Sequence, residues 1–183
     1  MNEFLTLVHN LDASILLFIQ EHLRQEFLTP ILTLITKLGD KGIFWLAVSV
    51  IMLIPKKTRG IGFLSIVAIA INYGICNLCL KNLVERIRPY ESVEGLKLLV
   101  HRASDWSFPS GHASSSFAAA VVFYRCLKKK WLGVCALILA ALIAFSRLYV
   151  AIHYPTDVII GGAIGALVGF LVVQTLGRNI KKR

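Results

Sequence analysis

The sequence predicts an all-α fold: a polytopic membrane bundle of about six transmembrane helices, with an N-terminal helix lying in the membrane interface. Three observations carry that expectation. Of 183 residues, 56% are hydrophobic and only 16% charged, where a soluble domain carries roughly a quarter charged residues. The apolar residues fall in runs, several of them near the ~20 residues that cross a bilayer. The lysines and arginines gather in short loops between those runs, the pattern of a membrane topology signal.

Taken in order, Phe4 to Gln20 is apolar but interrupted by His9, Asn10 and Asp12. Ile15, Leu16 and Ile19 follow Asp12 at helical spacing, so residues 1–20 suit an interfacial helix. No positively charged start or small-residue cleavage site marks them as a removable signal, and they are expected to belong to the mature fold. Phe27–Ile35 begins a second, short run, Gly39–Gly42 turns the chain, and Ile43–Ile54 returns. Ile61–Leu80 is a clean span ending in Lys81. Gly111–Leu127 and Trp131–Tyr149 span again, and Val158–Leu176 is the last, its Gly161, Gly162, Gly165 and Gly169 permitting close helix approach. The stretch Glu91–Ser107 is too short for a separate domain, so residues 1–183 read as one membrane-embedded domain.

The net charge of +10 does not indicate nucleic acid, because the basic residues sit in loops rather than along one binding face. The loops Lys56–Arg59 and Arg125–Lys130 and the tail Arg178–Arg183 hold 11 of the 20 lysines and arginines. Crossing at every run puts them on one face, which the positive-inside rule makes cytoplasmic, C-terminus included. Cys76 and Cys79 form a C-x-x-C spacing, but no second pair or histidine set accompanies them, and the four cysteines read as packing residues.

The opposite, outer face then holds three polar stretches. Ser146–Asp157 places Arg147, His153 and Asp157 between long apolar runs, where ionisable residues are a functional hypothesis. A neutral His153 is a capable nucleophile if a carboxylate such as Asp157 holds its tautomer, although a first-turn Asp157 also suits the helix dipole. Lys81 and Arg88 stand two helical turns apart, as if on one side of a helix end that Pro89 stops, while Arg86 reads as a snorkelling side chain. Pro109-Ser110-Gly111-His112 opens a helix. Ser110 suits its cap, Gly111 admits a ligand to the backbone, and the free N–H groups make an anion site. His112 is a candidate general acid or base. His9, His22 and His101 read as interfacial or loop residues. No carboxylate cluster for Mg²⁺ and no His/Cys set for Zn²⁺ is present, so the expectation is phosphoryl transfer with no metal or other cofactor, the charge carried by three cations and backbone amides.

At these residues the chain resembles the type 2 phosphatidic acid phosphatase superfamily, which also includes vanadium-dependent haloperoxidases. Its motifs are a lysine separated by six intervening residues from Arg-Pro (Lys81, Arg88, Pro89), then Pro-Ser-Gly-His (Pro109, Ser110, Gly111, His112), then Ser-Arg with a following His and Asp (Ser146, Arg147, His153, Asp157). The resemblance implies that His153 forms a phosphohistidine with Asp157 orienting it. It also implies that His112 protonates the leaving oxygen and activates water, and that Lys81, Arg88, Arg147, Ser110 and the Gly111 N–H hold the phosphate. The large inserted periplasmic domain of some bacterial members is absent, which implies a compact bacterial lipid phosphatase of the cytoplasmic membrane. The partners expected are the bilayer and a lipid phosphate; no protein partner is indicated.

An outward site favours undecaprenyl diphosphate, recycled after cell-wall assembly, over phosphatidylglycerophosphate, phosphatidic acid or diacylglycerol pyrophosphate. A non-catalytic phospholipid-binding or transport protein is the rival from another class, but binding alone would not require His112, His153 and Asp157. The sequence does not separate a hydrolase from a phosphotransferase.

Overall fold

The computed structural model describes residues 3–177. The basic tail residues Arg178, Lys181, Lys182 and Arg183, on which part of the topology expectation rests, lie outside the described residues, as do Met1 and Asn2. Among the described residues every regular element is helical. Helix α1, Glu3–Phe18, runs into a π-helical turn at Ile19–Leu23. α2 is Leu28–Leu38 and α3 is Ile43–Leu53, joined by a tight turn at Asp40–Gly42. α4, Arg59–Tyr73, continues through π-helical Gly74–Leu80 into α5, Lys81–Val84. The short α6, Pro89–Ser92, precedes three long helices: α7, Gly111–Cys126; α8, Lys130–Tyr149; and α9, Pro155–Thr175.

Three stretches among the described residues are long and apolar enough to cross a membrane: Arg59–Ser92, α8 and α9. The other expected crossings are shorter. α2 and α3 have 11 residues each, which at helical rise gives only about 16 Å. α7 has 16 residues and reaches about 24 Å. Outward surfaces of α4, α8 and α9 expose Phe63, Ile71, Ile138, Ile159 and Leu167, a surface matched to lipid and unsuited to water. The chain is an integral membrane protein.

α7 is the central helix, and its composition explains why. Ala113, Ser114, Ser116, Ala118, Ala119 and Ala120 are all fully buried, and such short side chains let neighbouring backbones come close. α9 uses this opening. A Cβ on Gly161 would lie 2.7 Å from the Ser110 carbonyl oxygen, and Gly165 and Gly169 sit as closely on the carbonyls of Ser114 and Ala118. Glycines spaced by four thus face carbonyls spaced by four, so the expected close approach falls between α9 and α7. The other side of α7 is fixed by buried hydrogen bonds. Trp45 donates its indole N–H to Ser116 at 2.8 Å, and Asn72 donates to Ser114 at 3.0 Å. The apolar core of Trp45, Leu64, Ala68, Phe123, Ile143 and Val172 fills the space around these bonds.

The backbone departs from expectation between Lys81 and Pro89. The helix does not carry Arg88 to the site by its pitch. It ends at Val84, Glu85 adopts φ 49°, and the chain is extended at Arg88. Pro89 does not stop a helix; it opens α6 at N1, where a missing N–H costs nothing. α1 differs too. Its Asp12 and Leu16 are buried, with Leu16 packed among Leu96, Ala151 and Tyr154, so α1 braces the segment that carries His153.

Candidate active site

The three polar stretches meet at one end of the bundle. α5 leaves α4 there, α7 begins there, and α8 ends there. The opposite ends of α4, α7 and α8 carry the basic loops around Lys56–Arg59 and Arg125–Lys130. Backbone bonds lock the stretches together: the Ser110 N–H donates to the Asp157 carbonyl at 3.0 Å, and the Ser107 N–H to the Arg86 carbonyl at 2.8 Å. A cavity of about 1020 Å³ opens between them. Lys81, Arg88, Gly111, His112, Arg147 and His153 all line it. Ser110 and Asp157, both fully buried, stand behind its wall. The Ser110 hydroxyl serves as the N-cap of α7, accepting from the Ala113 N–H at 3.4 Å.

His153 sits in the turn between α8 and α9 and is 1% exposed. Its Nδ1 lies 3.6 Å from Asp157 Oδ2, beyond a direct hydrogen bond, and 3.5 Å from Ser107 Oγ. The Ser107 hydroxyl in turn donates to Asp157 Oδ2 at 2.5 Å. Asp157 also accepts from the Tyr154 N–H at 3.0 Å, closing a capping box at the start of α9. On the other side of the ring, His153 Nε2 lies 3.4 Å from an Arg88 guanidinium nitrogen. With Nδ1 protonated towards Ser107 and Asp157, Nε2 carries the lone pair on the Arg88 side. Burial holds the imidazole down to about 3; Asp157 pulls it up, and Arg88 and Arg147 push it down again. At neutral pH the ring is therefore uncharged.

The cations are bound as tightly as the histidine. Arg88 donates to the Ile152 carbonyl and the Asp105 carbonyl, each at 2.8 Å. Its remaining nitrogen reaches Asp105 Oδ1 at 2.6 Å, while Lys81 pairs with Asp105 Oδ2. Arg147, 5% exposed, donates to Thr36 Oγ1 at 2.6 Å, and its Nε has no partner. His112 Nε2 lies 2.8 Å from Asp40 Oδ1, a contact that depends on Gly39, whose Cβ would fall 2.5 Å from the His112 ring. Asp40 is accordingly held below the usual carboxylate range, first by the His112 bond.

Several of these residues escape the sequence reading. Arg86 does not snorkel; it bridges two buried carboxylates, at 2.7 Å from Asp157 Oδ1 and 2.7 Å from Asp12 Oδ2, and lies 3.8 Å above the Tyr154 ring. Asp12 completes the brace by accepting from the Thr156 N–H at 3.0 Å. Buried acids in an otherwise apolar helix and a third cation beside Arg88 are the signals that could have found them. Asp40, Asp105 and Ser107 lie in ordinary loop sequence and carry no such signal. His101 is a loop residue as expected, yet it lines the cavity, as does Asn77.

Residues 62–181 match the family model described as the PAP2 superfamily. The chain is 33% identical over 147 residues to an undecaprenyl-diphosphatase of Sulfolobus acidocaldarius, covering 80% of this chain and 70% of that one. Against two other curated relatives the match spans 45% and 49% of their lengths. Among solved structures, the PAP2-type phosphatidylglycerolphosphate phosphatase of Bacillus subtilis superimposes with TM-score 0.75 at 29% identity, over 100% of this chain and 89% of that one. LpxE of Aquifex aeolicus superimposes with TM-score 0.76 at 26% identity, over 90% and 95%. The chain belongs to the PAP2 superfamily and is a membrane phosphatase of that class.

Proposed function

We propose that residues 1–183 act as one membrane-embedded lipid-phosphate phosphatase whose nucleophile is His153. The observation that carries this is the placement of His153 Nε2 beside Arg88 in a cavity that Lys81, Arg147 and His112 also line. Lys81, Arg88, Arg147 and the Gly111 N–H, with Ser110 setting the helix start, hold the phosphate oxygens and stabilise the charge that develops on them. His153 Nε2 attacks phosphorus, the bond to the lipid oxygen breaks, and His112 protonates that oxygen as it leaves. His112 then takes a proton from water, which attacks the phosphohistidine, and phosphate and His153 are released. Asp157 steadies the Nδ1–H side of the ring throughout. Three side-chain cations supply the positive charge and a backbone N–H adds a hydrogen bond, so no metal ion takes part in the proposed step.

The substrate is a lipid with a terminal phosphate, most simply undecaprenyl diphosphate, the kind of lipid named for the Sulfolobus relative. Apolar wall residues Ile69, Leu98, Leu99, Val100 and Ile152 suit the lipid beside the headgroup. The site lies at the helix ends opposite the basic loops, which supports an outward-facing site in a bacterial cytoplasmic membrane, with about six crossings and a cytoplasmic C-terminus. Phosphate release from undecaprenyl diphosphate and from phosphatidylglycerophosphate, assayed side by side in EDTA, tests both parts of the reading. A phosphohistidine trapped by rapid quench in the wild type and missing in His153→Ala is the expected result. Retained turnover in His153→Ala, or an absolute requirement for added Mg²⁺, would overturn the mechanism. Faster turnover of phosphatidylglycerophosphate would overturn the choice of lipid.

A further inference from the structure

The cations of this cavity are already occupied by a carboxylate belonging to the protein. Asp105 offers one oxygen to Lys81 and the other to Arg88, the two-oxygen arrangement a phosphate would present to the same pair. Lys81 and Arg88 are buried, with side chains 7% and 5% exposed, whereas the Asp105 side chain is 51% exposed. The carboxylate can therefore turn out to water while the cations stay. Its loop need not move when it does so, because Arg88 also holds the main-chain carbonyls of Asp105, at 2.8 Å, and Trp106, at 3.3 Å. The third cation, Arg147, takes no part in the Asp105 contact, and its Nε is unpartnered.

We propose that Asp105 is a specificity-determining residue that yields its place to a phosphate carrying two negative charges and not to one carrying a single charge. The proposal rests on reading the cavity as the phosphatase site. Its physical basis is a competition. A tethered carboxylate competes at an effective concentration in the millimolar range, and a phosphodiester headgroup brings no more charge than it displaces. A terminal phosphate brings about −1.5 to −2 and engages Arg147 as well. The common membrane phospholipids present phosphodiester headgroups, in which each phosphate group carries a single negative charge. Without a competing group, three buried cations at the membrane surface would collect those headgroups. Asp105 is thus a repulsive element set against the abundant wrong ligand.

The Asp105 ion pairs remain formed throughout the working pH range. Burial raises the carboxyl, but the bonds from Lys81 and Arg88 outweigh it and hold the group at about 2. The pairing is complete above the ordinary carboxylate range and is lost only as pH falls through that low value. Asp105 itself therefore adds no pH dependence to anion selection near neutrality.

The test measures binding of inorganic phosphate and of dimethyl phosphate, a monoanionic diester, to the full chain in detergent at constant ionic strength. Wild-type protein is expected to favour phosphate by about 100-fold or more, and Asp105→Asn to shrink that ratio at least about tenfold, mainly by gaining affinity for the diester. A ratio unchanged in Asp105→Asn overturns the proposal, and so does an equal gain for both anions, which would make Asp105 a plain gate. Should Asp105→Asn not fold, the wild type alone decides. Its phosphate affinity should climb with the dianion fraction between pH 5.5 and 8, and diester binding within about threefold of phosphate refutes the filter. Lipid-phosphate turnover in vesicles of rising phosphatidylglycerol content is the membrane counterpart: unaffected in wild type, progressively inhibited in Asp105→Asn. Failure of wild-type protein to release phosphate from any lipid phosphate would instead overturn the phosphatase reading, leaving the binding ratio to judge Asp105 separately.

Discussion

His153 and His112 each lean on a carboxylate, but the two pairs sit in opposite surroundings. Asp157 is fully buried and receives bonds from Ser107, Tyr154 and Arg86. Arg86 is in turn held by Asp12 on α1. The Asp40 side chain is 59% exposed and belongs to a tight turn whose Lys41 and Gly42 adopt positive φ. One half of the cavity is thus a closed network tied to α1 and α9. The other half is a loop at its mouth. On the proposed mechanism the His153 half must be preorganised, because a histidine that reorients during attack loses the advantage of being placed. The mouth has to admit a headgroup and release phosphate, and it is built from groups that can move.

Breaking the buried half should cost most. Asp157→Asn is expected to lower kcat by about 10³-fold or more, because it removes the charge that steadies the imidazolium and disturbs its tautomer. Single-turnover phosphate release checks this, and a loss below tenfold would mean that Ser107 alone orients the ring. His112→Gln should follow at about 10²- to 10⁴-fold. A burst of phosphohistidine that forms but hydrolyses slowly would locate the loss in the second step. Arg86→Met is expected to reduce kcat about 10²-fold with little change in KM, and Arg86→Lys to restore part of it. A merely structural role would instead lower thermal stability and leave the acid limb of the pH profile in place.

The mouth should respond weakly. Asp40→Asn keeps a hydrogen-bonding partner for His112 and should cost no more than about tenfold, since an exposed pair contributes little. A loss as large as that of Asp157→Asn would erase the distinction between the halves. The smallest effect is on stability. His153 is neutral in the folded protein down to about pH 3, whereas an unfolded histidine takes up a proton near 6.5. Between those values the unfolded state binds more protons, so stability falls as pH is lowered through that window. His153→Gln should flatten this part of the pH–Tm curve, read by thermal unfolding at intervals from pH 7 to 4.

Much of this protein was determined by local sequence. Apolar run length, loop charge and the glycines of α9 specify a helical membrane protein, because burial in lipid leaves the backbone no alternative to satisfying its own hydrogen bonds. That Lys81, Arg88, His112, Arg147 and His153 gather around one cavity was legible too, since cations and histidines beside apolar runs are costly unless used. Contacts between distant segments were decided only in three dimensions. Helical spacing placed Lys81 and Arg88 on one helix side, but the chain breaks at Glu85 and Arg88 arrives along an extended segment. Arg86 looked like a surface cation until Asp12, 74 residues away, came to meet it. Asp105 sat in a polar loop with nothing to mark it. A side chain's partners across the fold leave no periodicity in the chain, so tertiary packing alone decided which carboxylate would meet which cation.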